Sequence, residues 1–479
     1  MMTRTIRYIL ILCGAIAVST ASAADRWRFI VAGDSQGFDM GVNAPILSDL
    51  VGEILRQDVD LVLFTGDLVI GERADFDRFE AQLRQWVRIM QPVYDAGIGV
   101  YACRGNHEIR DMWGAGPDVL PDPVDNGARR WLSVFGNGSY PQTMLPDNGP
   151  PGERYMTYSV GHKNALIVGL DLYAGVRHRP AHALNQAWLD AQLEQNTRPH
   201  IFVFGHEPAF RAFHFDCLDA HPKQRDAFWR SLKRAGGRTY FCGHDHFYDH
   251  AVVDDGDGAA DNDIHQVIAG GAGGPLYTWT PPYDGNNGDF IVQQYCHVRQ
   301  HGYMLVEVDD LDVTVMWMER REGSSWWLPS HVASDIWDYR VSPGPILIRP
   351  NGAERVAAGR PYGVQWTMTP GAEVRRVILE YSLDGGAGWT FIDEVDNTGA
   401  YDWTAPKADS ALCLVRVSDA EAPATSDTSD APFSIFACHA KLAADLNGDC
   451  YVDFADLAIL MSEWLRCGNP LDPSCGALQ

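Results

Sequence analysis

From Trp27 to about Arg340 the chain repeats one pattern: a short apolar run, a polar turn, then a stretch with apolar residues at helical spacing. The apolar runs are RFIVAGDS (28–35), LVLFTGD (61–67), GVYACRGNHE (99–108), ALIVGLD (165–171), HIFVFGHEP (200–208) and TYFCGHDH (239–246). Between the first two, Ile46, Leu47, Leu50, Val51, Ile54 and Leu55 line one face of a helix, and Phe76–Met90 repeats that spacing. Buried-type strands alternating with amphipathic helices predict βαβ units and an α/β sheet domain. HGYMLVEVDD (301–310) reads as a late strand completing a second sheet. Asp111–Glu153 breaks the alternation, is rich in Gly and Pro without a period, and reads as a long insertion that covers or shapes a site.

After Val341 the pattern shortens. SPGPILIRPNG (342–352) reads as a linker entering a β segment, and RRVILEYSL (375–383), WTFIDEV (389–395) and ALCLVRVSD (411–419) are strand-like runs between Gly, Asn and Asp turns. They predict an all-β sandwich (fibronectin- or Ig-like) over residues 342–437, a spacer or binding module. Residues 438–479 differ again. In AADLNGDCYVDFADLAILMSEWL (443–465), Asp445, Asn447, Asp449, Asp453 and Asp456 fall at loop positions 1, 3, 5, 9 and 12, the oxygen-ligand spacing that Ca²⁺ requires. The helix after them carries Leu457, Leu460, Met461 and Trp464 on one side. Cys450 stands where an EF-hand loop has Gly, and Asp456 replaces the bidentate Glu. This small helical calcium-loop segment resembles one repeat of a dockerin, which implies calcium and a protein or cell-surface partner. Dockerins carry two such loops, and one is present here.

Net charge is −25 over 479 residues, which argues against bulk nucleic-acid or anionic-membrane binding. An anionic small substrate stays compatible, because a bound dication reverses the local field. At the N-terminus Arg4 and Arg7 precede an apolar run, Tyr8–Val18, and Ala21-Ser22-Ala23 fits a small-residue cleavage site. Residues 1–23 therefore read as a signal peptide, too short for a membrane span, with the mature chain secreted from near Ala24. Cys438, Cys450, Cys467 and Cys475 crowd the tail and fit two disulfides of open pairing. Cys103, Cys217, Cys242, Cys296 and Cys413 are scattered, as small core residues are.

The candidate chemistry lies at the strand ends. GDSQ brings Asp34, GDL Asp67, GNHE Asn106 and His107, GHEP His206, and GHDH His244 and His246. Each set follows an apolar run, and a Gly stands directly before its first polar residue. Loops at the carboxyl ends of such strands converge on one edge of the sheet. Carboxylate, amide and imidazole without thiolate suit Mn, Fe or Zn at a hydrolytic centre rather than a closed structural zinc.

In this order the five motifs resemble the calcineurin-like metallophosphoesterases, and the resemblance covers roughly Trp27–Tyr303, within a domain expected over 24–341. It implies a two-sheet α/β sandwich with a dinuclear metal site. By position, Asp34 and His246 would hold one ion, Asn106, His206 and His244 the other, and Asp67 both. His107 would be the catalytic residue, donating a proton or hydrogen bond to the leaving group. Two departures matter. Many members have Asp-x-His in the first motif, whereas this chain has Gln36, an amide ligand or a partner of bound water. Ile70 stands where the purple acid phosphatase branch has Tyr, which argues against an iron–tyrosinate.

The resulting expectation is a secreted phosphatase that hydrolyses phosphate monoesters by attack of a hydroxide generated at the metal pair. Phosphodiester or nucleotide hydrolysis by the same centre stays open. So does a different class: a non-catalytic surface-binding protein acting through its C-terminal modules.

Overall fold

The computed structural model describes residues 26–71, 75–112, 126–136, 141–173, 181–256, 260, 262–283, 285, 287–321, 330–437, 442–446, 450–452, 454–462 and 464. The expected signal peptide, part of Asp111–Glu153, Asn447, Asp449, Asp453, Cys438, Cys467 and Cys475 lie outside them.

The first part of the chain runs β1 (Trp27–Ala32), β2 (Gln36–Asp39), α1 (Ala44–Arg56), β3 (Leu61–Phe64), α2 (Phe76–Asp95), β4 (Gly99–Ala102), α3 (Asn126–Phe135), β5 (Tyr158–His162), β6 (Ala165–Gly169), α4 (Gln186–Glu194), β7 (His200–Phe204), α5 (Pro222–Arg234), β8 (Thr239–Cys242), β9 (Tyr248–Asp254), β10 (Ile264–Ala269), β11 (Ile291–Val298), β12 (Gly302–Asp309), β13 (Asp312–Arg320) and β14 (His331–Arg340). One sheet has the order β14-β13-β12-β1-β3-β4 and the other β11-β9-β10-β8-β7-β6-β5. In each, the strands that carry the Gly-led motifs run parallel: β1 with β3, β3 with β4, β7 with β8. Their carboxyl ends therefore open on the same edge.

The two sheets pack face to face. Phe29 of β1 meets Phe202 of β7 at 4.9 Å, and Tyr248 of β9 stacks on Trp317 of β13 at 4.6 Å. Helices α4 and α5 cover the outer face of the second sheet through Leu189, Phe228 and Trp229. Strands buried on both faces read as continuous apolar runs, which is why LVLF and HIFVF lack alternation.

Two expectations need correcting. The late strand β12 pairs antiparallel with β1, so it extends the first sheet rather than completing the second. The apolar run showed a strand but not which edge it would seek. Within Asp111–Glu153 the structure contains a helix, α3, whose Trp131, Val134 and Phe135 are buried and whose Arg130 pairs with Glu80 of α2. Its period was masked by the Gly/Pro-rich sequence around it.

Residues 345–436 fold as a three-stranded sheet (Pro345–Arg349, Pro361–Met368, Ala400–Thr404) and a six-stranded one that includes Arg376–Ser382 and Ser410–Asp419. Leu347, Trp366, Leu379, Trp403 and Val415 lie in the core between them. A cavity of about 690 Å³ lies where α5 meets this module, lined by Arg230, Gly236, Ile346 and Asp427 among others. It contains none of the Gly-led motif residues. The helix Phe454–Ser462 follows.

Candidate metal centre

A Gly follows within three residues of the end of each of these parallel strands, and the reason is space as well as bending. A Cβ on Gly105 would lie 2.1 Å from Asp67 Oδ1, and one on Gly243 would lie 2.3 Å from Asp34 Oδ2. The glycines thus admit a neighbouring motif's carboxylate against the backbone. The residues they precede are themselves strained: Asp34, Asp67 and His244 have φ of 62°, 50° and 69°. Left-handed backbone at non-glycine residues persists only where the surroundings enforce it. Here the hydrogen bonds from the His107 amide to Asp67 Oδ1 (2.9 Å) and from the His244 amide to Asp34 (3.1 Å) help to do so.

The structure brings Asp34, Gln36, Asp67, Asn106, His107, His206, His244 and His246 together, although they span more than two hundred positions of sequence. Ligand atoms of Asp34, Asp67 and His206 all lie within 4.8 Å of one another. His206 Nδ1 donates to the Thr65 carbonyl at 2.8 Å, so its Nε2 carries a lone pair. That lone pair faces the Asn106 oxygen at 3.0 Å, and His244 Nδ1 approaches the same oxygen at 3.1 Å. On the other side, His246 Nδ1 donates to the Pro275 carbonyl at 2.9 Å, which turns its Nε2 lone pair toward Asp34, 3.5 Å away. Opposed electron pairs on buried groups are what a cation between them would satisfy. The donor set fits two metal ions.

Gln36 sits between the halves. Its carboxamide nitrogen is 3.1 Å from Asp67 Oδ2 and 2.9 Å from His246 Nε2, while its oxygen is buried without a partner. Rotating the amide by half a turn would present the oxygen to an ion held by the other two.

Electrostatics follow from burial. Burial and the facing Asp67 push the Asp34 carboxyl well above its usual range. Burial lowers His206 and His246 to about 4, keeping both imidazoles neutral. His244 is the exception: burial opposes its charge, but Asp216, Asp245 and Glu207 hold it up to about 10. That value describes an imidazole among carboxylates, and bound cations would reverse the balance.

Several supporting residues were weakly marked in the sequence. Glu108 accepts from the amides of Gly105 (2.7 Å), Asp67 (3.0 Å) and Val69 (3.2 Å), tying two motif loops together. Glu207 and Asp245, each directly after a predicted ligand and fully buried, accept from His182 (2.7 Å) and His214 (2.5 Å). Arg104 pairs with Asp171 at 2.7 Å in the interior. Asp216 lies 3.5 Å from His244 Nε2, and Tyr277 stacks on His246 at 4.2 Å. None of these falls in a motif that assigns it a role, apart from the carboxylates beside ligands. His250, near the motifs but in no ligand position, is buried between Asp335 and His265 rather than on the surface.

In the tail, Asp456 is buried and accepts from the Leu446 amide at 2.6 Å, while Asp445 accepts from the Cys450 amide at 2.9 Å. Cys450 is disulfide-bonded, and Cys103, Cys217, Cys242, Cys296 and Cys413 are free thiols.

Residues 28–248 match the family model of the calcineurin-like phosphoesterases. That stretch, a little under half of the chain, is similar to the calcineurin-like phosphoesterases. All eight strand-end residues named above fall within the matched stretch. Among solved structures, a purple acid phosphatase isolated from yellow lupin (Lupinus luteus) seeds is similar over 66% of this chain, at 14% identity and a TM-score of 0.49. This chain spans 54% of that one. No curated protein matches the chain. Among the described residues no helix is long and apolar enough to cross a membrane.

Proposed function

We propose that this protein hydrolyses phosphate monoesters outside the cytoplasm, using two metal ions held by the calcineurin-like phosphoesterase domain. The observation that carries the reading is the convergence of buried acceptors: Asp34, Asp67 and His206 within 4.8 Å, with the Asn106 oxygen 3.0 Å from His206. Asp34 and His246 would hold the first ion, with Gln36 as a weak ligand. Asn106, His206 and His244 would hold the second, and Asp67 would serve both. Mn, Fe and Zn all suit these donors. When bound, such a pair supplies Lewis acidity for the phosphoryl oxygens and an activated water.

The protein's own groups do the rest. The Thr65 and Pro275 carbonyls fix His206 and His246 in the tautomers that present a lone pair. His107 hydrogen-bonds through Nδ1 to the Ile70 carbonyl at 2.8 Å, which leaves Nε2 at the rim, 3.7 Å from Asp67. Protonated on both ring nitrogens, it would donate from Nε2 to the phosphate or pass that proton to the leaving oxygen, returning to the neutral ring. Ile70 offers no phenolate at the position where purple enzymes have their tyrosinate.

Export rests on the N-terminal sequence. The tail's Asp445 and Asp456 contribute to a calcium loop that ties the protein to a partner. The decisive assay combines metal analysis by plasma emission with hydrolysis of p-nitrophenyl phosphate and its bis ester, with Mn²⁺ or Zn²⁺ supplied. Turnover of the monoester alone supports the proposal, turnover of the bis ester moves it to a diesterase, and a metal-free inert protein ends it.

A further inference from the structure

Three phenylalanines near the centre are more exposed than phenyl rings usually are: Phe38 (91%), Phe215 (76%) and Phe213 (40%). Each sits within two residues of a side chain in the site: Phe38 after Gln36, Phe213 before His214, and Phe215 before Asp216. Phe213 is also stacked on Tyr277, with centroids 5.0 Å apart and planes 19° apart. Tyr277 in turn stacks on His246 at 4.2 Å and 12°. The result is a column of flat rings leading outward from a predicted metal ligand to solvent.

The column is held rigidly. The Tyr277 amide donates to the His246 carbonyl at 3.1 Å, and its own carbonyl accepts from Arg299 at 3.1 Å. The Phe213 amide donates to the Asp245 carboxylate at 3.0 Å. Both rings are therefore placed by the loop that carries His244 and His246, so they keep a fixed distance from any phosphate bound there. Exposed aromatic surface packed against a polar centre is where a ligand's flat apolar part gains most.

We propose that Phe213, the exposed outer end of the column that Tyr277 holds in place, selects phosphoesters whose leaving group carries an aromatic ring, which stacks on it while the phosphate lies at the metals. The inference rests on the phosphoesterase reading. Stacking of this kind contributes about ten-fold in affinity per ring.

The test uses full-length, metal-loaded protein and two non-hydrolysable probes, phenylphosphonate and methylphosphonate, titrated calorimetrically. The expected result is about ten-fold tighter binding of the phenyl compound, a preference reduced several-fold in Phe213→Ala. Phe213→Leu keeps the bulk without the flat face, so it should also lose preference, and it carries the test if the alanine variant fails to fold. Equal affinity for the two probes in the unmodified protein overturns the selection while leaving the phosphoesterase reading intact. Binding of neither probe removes both. Relative kcat/KM for phenyl phosphate, adenosine 5′-monophosphate and glycerol phosphate then separates the sources. An advantage for the nucleotide identifies the ring as a nucleobase, an advantage for phenyl phosphate identifies a simple aryl group, and no advantage over glycerol phosphate counts against the proposal.

Discussion

The carboxylate of Glu108 accepts the backbone amide hydrogen of Asp67 at 3.0 Å, so the loop after β4 fixes the strained residue at the end of β3. Glu108 also takes the amides of Gly105 and Val69. Glu108→Ala strands three amide donors at a buried position and should lower stability by at least about 3 kcal/mol. Urea unfolding reads this directly, and the variant should lose metal as well. An unchanged unfolding midpoint would mean the loops hold their shape without it.

The proposed two-metal reading assigns Gln36 to the first ion. Replacing it with Ala should weaken that ion's binding about ten-fold, as loss of an orienting partner commonly does. Gln36→His should strengthen it. Metal content after dialysis against graded chelator separates the variants, and identical retention in all three proteins would remove Gln36 from the site.

Asp67 and His107 are adjacent in space, and the proposed function gives them different roles. Asp67→Asn should empty both positions and abolish turnover. His107→Asn should keep the metals and lower kcat by about 10²–10⁴. Metal loss in the His107 variant would show that the role belongs to ligation instead.

Arg104 and Asp171 form a fully buried ion pair beneath the GNHE loop. Removing one partner leaves an uncompensated charge, so Arg104→Met should cost about 3–5 kcal/mol. Adding Asp171→Leu should recover part of this but not all, because Asp171 also accepts the Tyr173 amide at 2.8 Å. Additive losses in the double variant would contradict a paired role.

His265 should make the fold acid-sensitive. Burial, then His250 and Arg238, depress its pKa from 6.5 to about 2. Between those values the unfolded chain binds a proton that the native state refuses, so stability falls as pH drops below 6.5. The slope approaches about 1.4 kcal/mol per pH unit for one proton. Stability measured at pH 6.5 and pH 5 should decline less in His265→Gln, and equal declines would falsify the assignment.

Much of the architecture was legible in the chain because burial on both faces of a parallel strand leaves an uninterrupted apolar run. LVLF, HIFVF and TYFC therefore announced β3, β7 and β8, and the glycine after each run announced where the chain turns. The helix α3 was not legible, since its period is short and lies within a Gly/Pro-rich segment. Nor was the partner of β12, because an apolar run does not encode which sheet edge it will join.

The sequence by itself determined which residue types stand at the strand ends, and hence the donor chemistry: carboxylates, two amides and imidazoles without thiolate. Tertiary structure alone decided that their lone pairs face one another, because that depends on tautomers set by the Thr65 and Pro275 carbonyls, far away in the chain. It also decided that Glu108 bridges two loops and that Tyr277 lies flat on His246. Local sequence restricts backbone and side-chain type, whereas hydrogen-bond partners and ring contacts arise only when distant segments are packed.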